Sequence, residues 1–222
     1  MSTADTTRLL VLGVVRIFEP ANGYQLRREL LSWDVESWAN INPGSIYSML
    51  ATLTRQGMLE RHEIAASPGI RAVAVYRVTE QGKEELRNLV RAGITTVTGL
   101  ERTQLYAALS LMATLFDRGE VLELFYERLR NLVAVIDDLN EKRTALEGDS
   151  GTPPHVGRMV GFSASLCLAE FEWLQEFAEA VRDGELVFAG EPAMASWKPA
   201  PNDPAWRMMR ERAVYLDQLG DS

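Results

Sequence analysis

Apolar residues recur at helical spacing along most of this chain and alternate at strand spacing in one short region. The segments TTRLLVLGVVRIFE and GYQLRRELLSW read as two short helices, the second with Leu26, Leu30 and Trp33 on one face. A third helix is bounded at both ends. Asn42 supplies an N-cap acceptor, Pro43 suits the first helical position, and Gly57 is placed to take the left-handed conformation that closes a last turn. Within those limits Ile46, Met49, Leu50 and Leu53 form a buried stripe. Gly44, Ser48, Ala51 and Arg55 lie opposite, with Tyr47 and Thr52 at the margins. Met58 to Ile64 and Ala72 to Val78 then read as paired strands across the turn signal Ser67-Pro68-Gly69.

The second half is helical. Leu122, Phe125, Leu129, Leu132, Ile136 and Leu139 follow at alternating spacings of three and four, a seam that ends where EGDSGTPP breaks the helix. Val160, Cys167, Leu174 and Val181 repeat every seven residues, flanked by Met159, Leu166, Trp173 and Phe177. Two such helices can close on each other within one chain, which is one reading. Each nevertheless has more apolar surface than one partner covers, and every Leu or Phe left in water forgoes ~1.5–3 kcal/mol. A dimer through Leu122, Phe125, Leu129, Leu132, Ile136, Leu139, Trp173 and Phe177 is therefore expected.

The order helix, helix, helix, hairpin is that of a winged helix-turn-helix, whose third helix enters the major groove while the hairpin touches the flanking backbone. The expected fold is mainly α: a winged helix-turn-helix of three helices and a β-hairpin wing over residues 1–90, then a coiled-coil-like helical dimerisation domain over 91–183. Residues 184–222 form a Pro-rich tail with Trp197 and a short helix from about Ala205 to Leu219. The tail is expected to pack on the helical domain or the partner subunit, a disordered appendix being the alternative.

Charge modifies this picture. The 222 residues carry a net charge of −8, which argues against an obvious nucleic-acid binder. The acidity is uneven, however: residues 1–90 hold 10 Lys and Arg against 10 Asp and Glu, while residues 91–222 hold 13 against 21. Arg8, Arg27, Arg28, Arg55 and Arg71 are spread over elements that a winged helix presents together. An ordinary solvated face is rich in Lys and Glu. The small face of Gly44, Ser48 and Ala51 lacks them, so it reads either as an unusually bare solvent face or as a surface shaped to sit between phosphates.

Catalytic and metal-binding patterns are weak. His62 and His155 have no second ligand at a metal-binding spacing, GFSAS lacks the second glycine of a nucleophile elbow, and no phosphate-binding glycine loop occurs. The single Cys167 lies in an apolar stretch, which fits a small buried hydrophobe in a reducing cytoplasm. No apolar run reaches the ~18 residues of a membrane span. No enzyme activity, cofactor, metal or membrane is therefore expected.

The blocks NGYQLRREL, NPGSIYSMLATLTRQGMLE and VYRVTEQGKEEL resemble, in order and separation, the three signature blocks of PadR-type transcriptional regulators. The resemblance is close over residues 7–90 and extends through helical architecture to about residue 183. Tyr24, Pro43, Gly44, Ser45 and Tyr47 fall on the family pattern, whereas the wing departs from it, Arg71 standing almost alone there as a basic residue. The resemblance implies a cytoplasmic homodimeric repressor that binds an inverted-repeat operator in double-stranded DNA and is released by a small aromatic or hydrophobic effector. Trp33, Trp38, Met112 and Phe116 are candidate walls for that effector. The DNA contacts expected are Tyr24, Gln25, Arg28, Asn42, Gly44, Ser45, Tyr47, Ser48, Thr52, Arg55 and Arg71. The alternative is a winged-helix and coiled-coil interaction module that uses the same small face against another protein and binds no DNA.

Overall fold

The first helix, α1 (Thr3–Phe18), is apolar on nearly every side: Leu9, Leu10, Val11, Leu12, Val14 and Val15 are all almost completely buried. A helix of that kind belongs at the centre of a unit. In the computed structural model, which describes residues 3–64, 72–196, 198, 200–201 and 205–220, α1 is the hub of the first of two compact units. This unit comprises Met1–Val90 and Ser196–Ser222; the second is Arg91–Ala195.

Around α1 the first unit arranges β1 (Ala21–Asn22), α2 (Gly23–Ser32), the one-turn α3 (Val35–Trp38), α4 (Pro43–Arg55), β2 (Leu59–Ile64), β3 (Val73–Val78) and the start of α5 (Glu80–Thr95). Leu26 and Leu30 of α2, Ile46, Leu50 and Leu53 of α4, and Leu86 and Val90 of α5 complete its core. The hairpin pairs Leu59 with Val78 through Ile64 with Val73. Its outer edge at β3 takes a third strand, β1, with Ala21 opposite Tyr76 and Asn22 opposite Val75. Neither α3 nor β1 is visible as a periodic pattern, since one turn and two residues are too short to show one.

The end of α4 follows the sequence reading. Gly57 has φ +75°, Met58 N–H donates to Leu53 O at 2.9 Å, and Gly57 N–H donates to Thr54 O at 3.1 Å, the paired bonds of a Schellman stop. Immediately afterwards the chain is held to α5. Thr79 Oγ1 donates to Gly57 O at 2.8 Å and accepts from Gly82 N–H at 3.0 Å. Gly82 is buried where a Cβ would collide with the Met58 carbonyl and lie 2.8 Å from Val78 Cγ1. Gly82→Ala is therefore expected to destabilise the first unit by ~1–3 kcal/mol through overpacking, read as a lower urea midpoint. An unchanged midpoint would mean that the backbone yields there freely.

The second unit consists of the remainder of α5, α6 (Thr103–Leu115), α7 (Arg118–Gly148), α8 (Pro154–Arg182) and the short α9 (Pro192–Ala195). The long α7 and α8 run antiparallel, since Phe125 stacks on Phe177 with centroids 5.1 Å apart near one end, and Gly161 approaches Arg143 near the other. Leu124, Phe125 and Leu132 on α7 face a stripe of Ala164, Cys167, Leu174, Ala178 and Val181 on α8, all buried.

The packing bears on two expectations. The seam assigned to a partner subunit is largely used inside the chain: Phe125 and Leu132 are completely buried, and Leu122, Leu129, Ile136, Leu139 and Phe177 are half-buried. Trp173 stays 43% exposed. Each helix turns one apolar face to the other, while α8 leaves Met159, Phe162 and Trp173 exposed on another side. The tail also divides. Residues just after α8 lie on the second unit, where Arg118 donates to Leu186 O at 2.8 Å and to the Val181 carbonyl, pairs with Glu191 at 2.7 Å, and covers the buried ring of Phe188. The last helix, α10 (Ala205–Leu219), instead packs on α1 and β1 of the first unit, where it buries Met208. Trp197 lies outside the described residues.

Candidate nucleic-acid interface

Both helices of the helix-turn-helix open with the same local chemistry. Asn22 and Asn42 hold nearly identical extended conformations, and each side chain accepts from a backbone N–H three residues on: Gln25 at 3.0 Å in α2 and Ser45 at 2.9 Å in α4. In α2 the box is closed by Gln25, whose Oε1 accepts from Asn22 N–H at 2.8 Å. The first turn of α2 is also in contact with α4. A Cβ at Gly23 would lie 3.0 Å from Tyr47 Cε1, so the ring of Tyr47 rests on the first residue of α2.

The outward surface of α4 is the one read from the sequence. Gly44, Tyr47, Ser48, Ala51 and Arg55 are all exposed, and Ser45 and Thr52 are half-buried beside them. Arg55 reaches back to Thr52 Oγ1 at 3.4 Å. Next to this face a cleft of about 390 Å³ is lined by Ser45, Ser48, Met49 and Thr52 of α4 with Ala4 and Thr7 of α1. Tyr24, 59% exposed, stands at the start of α2.

Other expected contacts are placed differently. Gln25 is 3% exposed and spends both ends of its amide, Oε1 on the cap and Nε2 on Glu211 of α10. It is thus a buried capping residue in this structure. Asn42 is exposed but its Oδ1 is committed to the cap of α4, and Arg28 is half-buried with Nε enclosed. Arg71 lies outside the described residues. Arg8 pairs with Glu85 at 3.5 Å and with Met58 Sδ at 3.4 Å, which ties α1 to the base of the hairpin.

Glu211 and Tyr215 at this site were not legible beforehand. Tyr215 Oη accepts from Asn22 Nδ2 at 3.0 Å, and the Glu211 carboxylate accepts from Gln25 Nε2 and, at 2.7 Å, from Arg207 Nε. No local pattern links residues so distant along the chain.

In the second unit the chemistry is of another kind. Arg128, 1% exposed, donates to Glu170 Oε1 and to the carbonyls of Ile94 and Thr96 at 2.6 and 2.9 Å. Arg102 Nε lies 2.9 Å from Glu170 Oε2, and its NH2 lies 3.6 Å from the Sγ of buried Cys167. Burial lowers the pKa of the Arg128 guanidinium, and the charge of Glu170 opposes that shift. These donors tie the end of α5 and the segment after it to α7 and α8.

Beside this network a cavity of about 340 Å³ is lined by Arg102, Leu105, Tyr106, Leu109, Ala169, Glu170 and Trp173. The suggested effector walls are elsewhere: Met112 and Phe116 are buried core, and Trp33 and Trp38 donate to Glu29 and to the Trp33 carbonyl. Met159, Phe162, Leu166, Ala169 and Trp173 run along α8 at spacings of three and four, with Met159 66% and Phe162 60% exposed. Among the described residues no group of three or more His, Cys, Asp or Glu is gathered for a metal, and no helix is long and apolar enough to cross a membrane.

Residues 11–88 match the model of the Transcriptional regulator PadR-like family. Among solved structures, the chain is similar to Bacillus subtilis PadR in complex with operator DNA, at 19% identity over 78% of this chain and 98% of that one, with a TM-score of 0.33. It is similar to the same protein in complex with p-coumaric acid, at 17% identity over 82% and 98%, TM-score 0.33. The third is smu.1604c from Streptococcus mutans UA159, at 18% identity over 76% and 96%, TM-score 0.34. No curated protein matches the chain.

Proposed function

We propose, from the match of its residues 11–88 to the PadR-like family of transcriptional regulators, that this chain is a homodimeric repressor which inserts α4 into the major groove of an inverted-repeat operator. One observation carries the reading: an α4 capped at both ends, exposing a face of Gly44, Ser48 and Ala51 that ends in Arg55. Small side chains let the helix axis approach the bases closely, and the guanidinium at its far end is suited to a base edge or a phosphate. Tyr24 and Tyr47 stand where the backbone would pass, beside the positive ends of α2 and α4.

An apolar stripe on α8, exposed except at the half-buried Leu166, supports a dimer contact there. Met159, Phe162, Leu166, Ala169 and Trp173 repeat in heptad fashion, so a second copy can pack the same stripe against it about a twofold axis. Tyr106 adds a further apolar surface at 60% exposure. The cavity between Tyr106 and Trp173 opens on this face and has the aromatic lining that a small aromatic or hydrophobic effector needs.

Binding to DNA from the region upstream of the chain's own gene, followed by fluorescence anisotropy, tests the reading. Arg55→Ala is expected to cost ~1–3 kcal/mol of operator affinity, and Ser48→Glu to remove specific binding by setting a carboxylate against phosphates. Both residues are exposed, so thermal stability should not change. Full affinity in both variants would instead favour a protein partner for this face, the reading to which the net charge of −8 lends weight.

A further inference from the structure

The first unit holds an acidic residue from far along the chain against the start of α2. At the N-terminus of α2 the capping residues Asn22 and Gln25 both turn their remaining donors toward α10: Asn22 Nδ2 to Tyr215 Oη at 3.0 Å, Gln25 Nε2 to the carboxylate of Glu211. Gln25 is 3% exposed, and Glu211 takes that amide out of reach of solvent and of DNA alike. A helix N-terminus carries roughly half a positive charge and favours either a carboxylate or a phosphate. Tyr24, a residue expected to meet the DNA backbone, sits in the same turn. Arg207 is held near it, its pKa raised chiefly by Glu211 and further by the neighbouring Tyr24 and Tyr215.

We propose that α10 is an autoinhibitory element, its Glu211 carboxylate occupying a place that a DNA phosphate takes when α2 meets the duplex. The inference rests on the DNA-binding reading above. Glu211 reaches this helix end through the Gln25 side-chain amide, so a phosphate drawn to the same turn would meet a like charge there, and full engagement of DNA requires α10 to leave. The contact is suited to release. A helix of 15 residues is marginal by itself, Met208 is its one fully buried side chain among the described residues, and Met209 and Val214 remain 44% and 53% exposed.

The test uses the full chain and a short mixed-sequence duplex, because phosphate contacts act without regard to sequence. The variant Glu211→Gln with Tyr215→Phe keeps the shape of α10 but removes the carboxylate and the hydroxyl. It is expected to bind the duplex about tenfold more tightly than the unmodified chain, with its helical content by circular dichroism retained. Asp217→Asn removes the same charge from the same helix at an exposed position and should change affinity less than about twofold. In parallel, saturating duplex should accelerate amide exchange across residues 205–219 of the unmodified chain. Equal affinity for the double variant, an equal gain from Asp217→Asn, or undiminished protection of α10 in the complex would each overturn the inference while DNA binding stands. If no form of the chain binds any duplex, the DNA-binding reading falls, and this inference with it.

Discussion

Replacing Met159 and Phe162 together by aspartate is expected to turn the proposed dimer into monomers and to weaken binding to the proposed operator at least about a hundredfold. Both side chains are more than half exposed in the protomer, 66% and 60%, and contribute little to the α7–α8 core. The charges would therefore leave the hairpin folded and act only where a second copy must cover them. The size of the effect follows from valency. A protein acting through non-specific phosphate contacts alone binds at ~10⁻⁴–10⁻⁶ M, whereas specific sites read by paired half-sites reach ~10⁻⁸–10⁻¹¹ M. Sedimentation and anisotropy on the same sample decide the matter. A variant that remains a dimer, or a monomer that keeps its affinity, would remove the α8 stripe from its assigned role. Leu132 is unsuitable for this test, because it is completely buried and its replacement would unfold the hairpin itself.

Glu170→Gln is expected to cost the second unit ~3–5 kcal/mol. The loss leaves Arg128 charged and 1% exposed, with carbonyl acceptors but no counter-ion. For a chain of this size that corresponds to a melting temperature lower by roughly 10 °C or more. Arg128→Met in the same background should recover part of the loss, since it removes the stranded charge, although the carbonyls of Ile94 and Thr96 then lack their donor. Calorimetry of the two single variants and the double variant measures the coupling. Independent, additive losses would show that the pair does not act as a unit.

What the sequence disclosed was what neighbouring residues decide among themselves. The limits of α4 could be read because Asn42, Pro43 and Gly57 act within one turn of where they stand. The inward stripe of α8 could be read because Cys167, Leu174 and Val181 repeat at helical spacing. Which apolar face meets which partner is a different question. Phe125 and Leu132 look alike from the sequence whether α8 or a second copy covers them, and only the antiparallel packing separates the cases. Gln25 shows the same limit more sharply. Asn22 and Gln25 stand at capping-box spacing and could be paired by local reasoning, but the carboxylate that takes the free amide lies on α10, beyond the entire second unit.

That order along the chain also sets a timetable. The first unit draws its core from residues up to Val90 but receives α10 only after the second unit has been made. At a synthesis rate of ~5–20 residues per second, the interval is on the order of 10 s. During it a nascent chain holds a complete helix-turn-helix whose α2 cap has no Glu211 against it and whose surface for Met208 is uncovered. If α10 inhibits as proposed, the protein is made first in its open form, and α10 is fitted last, by synthesis itself.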